Sequence, residues 1–468
     1  MTSEMIRAEI SSILQERQGI SVNMKIKNRM RLWAVVLAVT LSAGTLGCGT
    51  EKAAAAVSEA VSSEVKETPE EGQNPEQSET TETEQTEQIQ PTEPETAEFV
   101  AALDNVVSDT PPAGEPNLSW AEKKLQAMTV EQKVAQLFFV APEALTGVSA
   151  VTRTGDVMKQ SFAACPVGGI LYSTPNLEGP EQTVQMTGGL QQYARELTGI
   201  PVFISIDEEG GKVTRIAKNA SYGVNNVGNM KSIGDTGDVS AAEGAGSYIG
   251  AYLSANGFNM DFAPDADVLT NPDNTVIGPR SFGSDGQLVS SMAAAFSRGL
   301  ASQGILACYK HFPGHGGTGE DSHEGYAYTY KRLEELRQCD LIPFAEGIRN
   351  GLQVIMVSHV SCPGVNGDDT PATLSPRIVT GLLREEMGFE GVIITDALDM
   401  GAISSHYEKT EACRKALEAG CDMLLICGDF KSAYEGILAQ VKNGTIPESR
   451  IDESVLRILR VKETLGLP

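Results

Sequence analysis

The second part of this 468-residue chain predicts a single (β/α)8 barrel of the TIM type, an α/β fold. Three observations carry that prediction. Eight short apolar runs recur after residue 117, longer amphipathic stretches separate them, and acidic, basic or histidine residues stand directly behind several runs. Strands alternating with helical stretches are the sequence form of βα units, and eight such units close a barrel.

The runs are Leu137–Val140, Gly169–Tyr172, Val202–Ile206, Met260–Ala263, Ile305–Tyr309, Val354–Val357, Gly391–Thr395 and Met423–Cys427. Intervening segments such as Glu181–Leu197 and Lys331–Asn350 suit helices, as does Ile451–Leu465 near the last residue, Pro468. No internal repeat is evident. The reading is one domain over residues 117–468, with no C-terminal sandwich domain behind it.

The first 116 residues have a different composition. Residues 24–48 place four basic groups (Lys25, Lys27, Arg29, Arg31) before an apolar run, Leu32–Leu41, and end in small residues and Cys48. This is the pattern of a secretory signal, too short in its apolar part for a comfortable membrane span. Cys48 after Gly47 resembles the lipidation site of a bacterial lipoprotein, although Thr45 stands where Leu is usual. Met24 is a better start than Met1, so residues 1–23 are read as untranslated or as an extended N-terminus. The expected location is extracytoplasmic, on the outer face of a bacterial membrane through lipidated Cys48, or secreted.

Residues 49–116 read as a disordered acidic linker: from residue 51 they hold 17 acidic and 2 basic groups and few large apolar ones. Of the formal charge of −26, the linker holds −15 and residues 117–468 hold −14, which argues against nucleic acid as a partner. The seven cysteines after Cys48 (Cys165, Cys308, Cys339, Cys362, Cys413, Cys421, Cys427) show no CxxC spacing, so neither a disulfide framework nor a zinc site is indicated.

Working groups of a barrel stand at the C-terminal ends of its strands. Here the third run is followed by Asp207-Glu208-Glu209-Gly210-Gly211, and the fourth by Asp265 and Asp267. Lys310-His311 follow the fifth, Ser358-His359 the sixth and Asp396 the seventh, and all five clusters would converge on one mouth. The segment Lys310-His311-Phe312-Pro313-Gly314-His315-Gly316, followed by Asp321-Ser322-His323, concentrates three of the five histidines. An Asp two residues from a His can orient the ring and raise its proton affinity, as an acid/base dyad requires. The same residues could serve as loop caps, or bind a metal through His315, Asp321 and His323. Asp396 emerges from a buried strand where a fixed nucleophile would be mounted, or where a helix N-cap would stand; Asp399 reads as a helix cap.

The chain resembles glycoside hydrolase family 3, and within it the short single-barrel β-N-acetylhexosaminidases. The resemblance rests on Ile206–Gly211, Asp261–Pro264, Arg280-Ser281-Phe282-Gly283, the Lys310–His323 segment, Pro371–Ser375 and Thr395-Asp396, in that order between about Leu125 and Leu465. It implies a retaining, exo-acting enzyme that hydrolyses terminal β-linked N-acetylglucosamine from cell-wall or other amino-sugar glycans. It further implies that Asp396 forms a glycosyl-enzyme, that His323 oriented by Asp321 is the acid/base with a neutral pH optimum, and that Asp207, Arg280, Lys310 and His311 hold the sugar.

Arg215 is left outside this set as a partner of Glu209, and His359 as a structural residue. Gly317-Thr318-Gly319-Glu320 should make the dyad loop mobile. Alternatives are a β-glucosidase or N-acetylglucosaminide phosphorylase of the same family, a sugar-binding lipoprotein and an inactive cell-wall adhesin. No cofactor or metal is implied, a monomer is expected, and muropeptides containing N-acetylglucosamine and N-acetylmuramic acid are the expected substrate.

Overall fold

The computed structural model describes residues 118–319 and 325–466. The signal segment, Cys48, the acidic linker, Asp321 and His323 lie outside the described residues. Eight strands run in parallel: β1 Phe138–Val140, β2 Gly169–Leu171, β3 Phe203–Ile206, β4 Met260–Asp261, β5 Leu306–Phe312, β6 Val354–Val357, β7 Val392–Thr395 and β8 Leu424–Ile426. Each pairs with its successor, β8 also pairs with β1 (Phe138↔Leu424), and a parallel bridge between Ile394 and Met423 joins β7 to β8. The result is the expected α/β barrel. Every strand side chain from β1 to β4 and from β6 to β8 is buried, as expected where helices cover the outside and side chains fill the inside.

All eight apolar runs became strands, most trimmed by a residue or two, while β5 extends beyond its apolar run through Lys310 and His311. The stretch 331–350 forms two helices, Leu333–Gln338 and Ile342–Arg349, where one was expected. Pro343 lies in the first turn of the second helix, where its missing N–H costs nothing; it could not continue the first.

The β7–β8 seam is held by a buried carboxylate. Asp422 Oδ2 accepts hydrogen bonds from the Ile393 N–H (2.9 Å) and Arg384 Nη2 (2.7 Å), and Oδ1 accepts from Ser454 Oγ (2.7 Å) and Arg457 Nη1 (3.0 Å). One residue thus ties two strands to the final helix, Glu448–Thr464.

The outer helices Val239–Ala255 and Gly286–Ala301 approach through small residues. A Cβ added at Gly299 would stand 2.3 Å from Glu243 O and 2.5 Å from Ser247 N, and one at Gly246 would stand 2.1 Å from Phe296 O. Backbone cannot yield as a flexible side chain can. Gly299→Ala should therefore force the helices apart and cost about 1–3 kcal/mol, read as a lower thermal midpoint; an unchanged midpoint would show that the packing is not this tight.

Candidate active site

The exit of β3 is organised by a residue that never reaches solvent. Glu208 is fully buried, and its carboxylate accepts the N–H groups of Arg215, Ile216 and Ala217 and the Tyr252 hydroxyl. Asp261, at the end of β4, accepts the Glu208 N–H at 2.9 Å. This clamp fixes the turn and so aims the neighbours Asp207 and Glu209 at the barrel mouth.

Two consecutive residues of β5 also reach that mouth. Cys308 and Tyr309 pair with Val354 and Ile355, but Phe312 pairs with Val357, so Lys310 and His311 together oppose the single residue Met356. In a regular strand neighbouring side chains point to opposite faces; the extra residue of this bulge lets both turn inward.

A chain of alternating charge results. Lys310 Nζ donates to Asp207 Oδ1 (2.9 Å) and pairs with Glu209 Oε1 (2.7 Å). Arg280 donates to both Glu209 oxygens through Nε and Nη2 at 2.8 Å, and its Nε lies 3.3 Å from Asp265 Oδ2. Burial raises the Glu209 carboxyl, but Arg280 and Lys310 outweigh it and hold that group well below the usual carboxylate range. Burial likewise depresses Lys310, and Asp207 and Glu209 reverse it, so the ammonium keeps its proton.

Beneath Arg280, Asp265 and Asp267 are fully buried, and the Asp267 N–H donates to Asp265 Oδ1 at 3.0 Å. Burial first, and the proximity of Asp267, push Asp265 up to about 8; Asp267 is raised too, again by burial. The pair therefore keeps one proton for its two carboxyls at neutral pH, carried by Asp265, since the Asp267 oxygens already accept from His311 Nδ1 and the His315 N–H. His311 Nδ1 lies 2.7 Å from Asp267 Oδ2 and its Nε2 3.3 Å from Arg280 Nη2. Burial and Arg280 lower the ring to about 4, so it is neutral, with Nδ1–H donating and Nε2 accepting. His311, which the resemblance assigns to the sugar, thus also holds Arg280 in place. One donor atom each from Asp265, Asp267 and His311 lies within 4.8 Å of the others, a spacing open to a cation, but the Arg280 guanidinium already supplies positive charge there.

Asp396 leaves β7 beside this set. Its N–H donates to Val357 O at 2.8 Å, and its Oδ1 accepts the Ala397 N–H at 2.8 Å. It is not a helix cap, since the next helix, Gly401–Ser404, is preceded by Met400. Burial raises the carboxyl, yet His359, His311, the Ala397 N–H and Lys310 together bring it below its ordinary value, so it is ionised at neutral pH. Asp399 caps no helix either: its Oδ2 accepts the Cys427 and Gly428 N–H groups behind β8 (2.6 and 3.0 Å). Arg215 stands 3.5 Å from Asp207 Oδ2, whereas a pairing with Glu209 was expected.

The glycine-rich approach to Asp321 and His323 is hydrogen-bonded through Thr318, while residues 320–324 of the loop expected to be mobile lie outside the described residues. Thr318 is fully buried; Asn271 donates to its carbonyl (3.0 Å), and Asn274 donates to His315 O (2.9 Å). Gly316 lies so close to Val268 that a Cβ would meet the Val268 carbonyl at 2.2 Å. Loop chemistry gave no cue for Asn271 and Asn274, which lie some forty residues upstream. Glu209, Asp265 and Asp267 were visible at strand ends as a cluster but not as the residues that set the charge of Arg280 and His311.

A hollow of about 510 Å³ opens near the start of β5 and β6 around Arg298, Tyr309 and Gln353, but its lining includes no carboxylate or imidazole. The chemistry sits at the opposite end of the strands.

Residues 129–461 match the family described as Glycosyl hydrolase family 3 N terminal domain. The chain is 34% identical over 343 residues to β-hexosaminidase A of Pseudoalteromonas piscicida, covering 68% of this chain and 56% of that protein. It is 27% identical to a β-N-acetylglucosaminidase/β-glucosidase of Cellulomonas fimi, covering 75% of this chain and 60% of that one. Among solved structures it resembles the glycoside hydrolase family 3 β-N-acetylglucosaminidase of Paenibacillus sp. str. FPU-7, with TM-score 0.68 and 40% identity over 73% of this chain and 63% of that chain. The chain thus spans somewhat over half the length of these relatives.

The proton carried by Asp265 makes a measurable statement about stability. A carboxyl raised by folding contributes fully below its ordinary value of 3.8, and that contribution is lost as pH rises towards about 8. Urea unfolding of the wild type should therefore weaken between these limits relative to Asp265→Asn, which has no proton to lose. Parallel stability curves for the two proteins would contradict the proton on Asp265.

Proposed function

The chain belongs to glycosyl hydrolase family 3, and from that premise we propose that it is a retaining, exo-acting β-N-acetylhexosaminidase with Asp396 as its nucleophile. The observation that carries the reading is an ionised carboxylate at the end of β7, set beside the charged groups of β3 and β5. The relatives named for β-hexosaminidase and β-N-acetylglucosaminidase activity support the choice of sugar.

In the proposed first step an Asp396 oxygen bonds to the anomeric carbon as the bond to the leaving oxygen breaks, and His323 gives that oxygen a proton. In the second, His323 takes a proton from water, the water oxygen bonds to the same carbon, and Asp396 departs as a carboxylate. Two inversions retain the configuration. Asp321 orients His323. Asp207 accepts from sugar hydroxyls, while Lys310 and Arg280 donate to sugar oxygens through protons not spent on Asp207 and Glu209. His311 supports this set by holding Arg280.

Most retaining glycosidases use two carboxyl groups for these roles. An imidazole can give and take a proton near neutral pH without placing a further carboxylate beside Asp207 and Asp396, where it would raise the pKa of its neighbours.

The signal segment, Cys48 and the acidic linker support a location outside the cell membrane, where a lipid-anchored enzyme on a tether would meet cell-wall fragments. The natural substrate in this reading is a muropeptide carrying terminal β-N-acetylglucosamine.

The test is hydrolysis of 4-nitrophenyl N-acetyl-β-D-glucosaminide beside the corresponding β-glucoside, with and without phosphate. Wild type should prefer the acetamido sugar and ignore phosphate. Asp396→Asn should lose more than about a thousandfold in kcat, and His323→Ala about 10²–10⁴-fold. Preference for glucose, or dependence on phosphate, would move the activity elsewhere in the family; full activity in Asp396→Asn would remove the nucleophile. Release of N-acetylglucosamine from purified muropeptides is also expected, and cleavage of chitobiose alone would discard the cell-wall substrate.

A further inference from the structure

His359, set aside above as structural, carries more than that. It follows β6 and is fully buried. Its Nε2 lies 2.9 Å from Ala397 O and its Nδ1 2.7 Å from Thr373 Oγ1. Thr373 Oγ1 in turn lies 2.5 Å from Ser358 O. A carbonyl only accepts, so Nε2 must bear a proton. A hydroxyl and a carbonyl oxygen come this close only with the hydroxyl proton between them, and threonine has one such proton. Thr373 is then an acceptor towards the ring, and Nδ1 must bear a proton too. Three contacts need three protons: the hydroxyl supplies one and the ring two.

We propose that His359 is held as an imidazolium and is a positioning residue and fixed counter-charge for the Asp396 carboxylate. The inference rests on Asp396 being the nucleophile. The carbonyl that the ring grips belongs to Ala397, whose N–H donates to Asp396 Oδ1 at 2.8 Å, so the ring fixes the residue that fixes the carboxylate.

Other groups face Asp396 from neighbouring strands. Lys310 and His311 do so from β5, but Lys310 is shared with Asp207 and Glu209, and His311 is neutral. From behind β8 comes the Cys427 thiol, pushed up by its surroundings and by the carboxylates of Asp399, Asp207 and Asp396, hence uncharged at neutral pH. The larger share of the compensation falls to His359.

This gives the ring a part in both halves of the reaction. When Asp396 becomes an ester its charge disappears and the imidazolium is left without that counter-charge. When the sugar departs the carboxylate reforms against a cation already in place, which makes Asp396 a better leaving group.

Two measurements test this. In the full chain labelled with ring-15N histidine, one of the five histidines should remain protonated at both nitrogens up to about pH 8, and its signal should vanish in His359→Gln. Glutamine can still donate to Ala397 O but carries no charge. The acid limb of kcat/KM for 4-nitrophenyl N-acetyl-β-D-glucosaminide should therefore move up by roughly 1–3 pH units in that variant. An unmoved acid limb overturns the proposal. If His359→Gln does not fold, the wild-type spectrum decides alone: no doubly protonated ring at about pH 8 overturns it as well. Mass spectrometry of the trapped glycosyl-enzyme separates the two readings. An ester on another residue defeats the nucleophile assignment, whereas an ester on Asp396 with an unmoved acid limb defeats only the role of His359.

Discussion

Glu209 is 1% exposed and lies between Arg280 and Lys310 at 2.7–2.8 Å, and the neighbouring charges settle around this buried carboxylate. An isolated ion in such a place would cost several kcal/mol even after relaxation, so its cations are held as firmly as it is. Arg280, committed on one side to Glu209, lies on the other against Asp265 and His311. Lys310, committed likewise, spends a further proton on Asp207. Burial, and for Asp265 the proximity of Asp267, raises the aspartate pair against the pull of Arg280, whereas Arg280 adds to burial in keeping His311 neutral.

The clamp one residue earlier makes this possible. Glu208 gathers three backbone N–H groups and a tyrosine hydroxyl, satisfying donors that a turn over a barrel mouth would otherwise leave open. Of three adjacent acidic residues, one therefore builds the turn, one anchors two cations, and Asp207 alone keeps a partly exposed carboxylate.

Much of this was legible beforehand. Eight apolar runs located eight strands because a parallel barrel buries both faces of each strand, and that leaves a continuous signal in the chain. Asp207, Lys310, His311, Arg280 and Asp396 were named from strand ends and from resemblance, and the barrel brings them together. What escaped was pairing. Arg215 was assigned to Glu209 and sits by Asp207; Asp399 was read as a helix cap and holds the turn behind β8. Asp399 meets a residue 28 positions away, and Arg215 turns back past Glu209 to Asp207, so local chemistry decided neither partner. The division of roles among Asp207, Glu208 and Glu209 was equally hidden, because three neighbouring acids look alike until the third dimension separates them. Thr318 shows a further pairing of this kind, since asparagines from another loop hold its carbonyl and that of His315.

The bulge in β5 separates two properties that usually travel together. Barrel closure depends on the pairing of Cys308 and Tyr309 with β6, and then of Phe312 with Val357; the extra residue between them is needed only for the site. A chain that lost Lys310 or His311 could restore regular pairing and still close, with a single polar side chain left between Tyr309 and Phe312. Fold and chemistry would then part by a single step of register. In evolutionary terms such a chain keeps its scaffold and becomes free to acquire another trade, so the bulge marks a place where catalytic and non-catalytic descendants of one barrel can diverge by a deletion of three nucleotides.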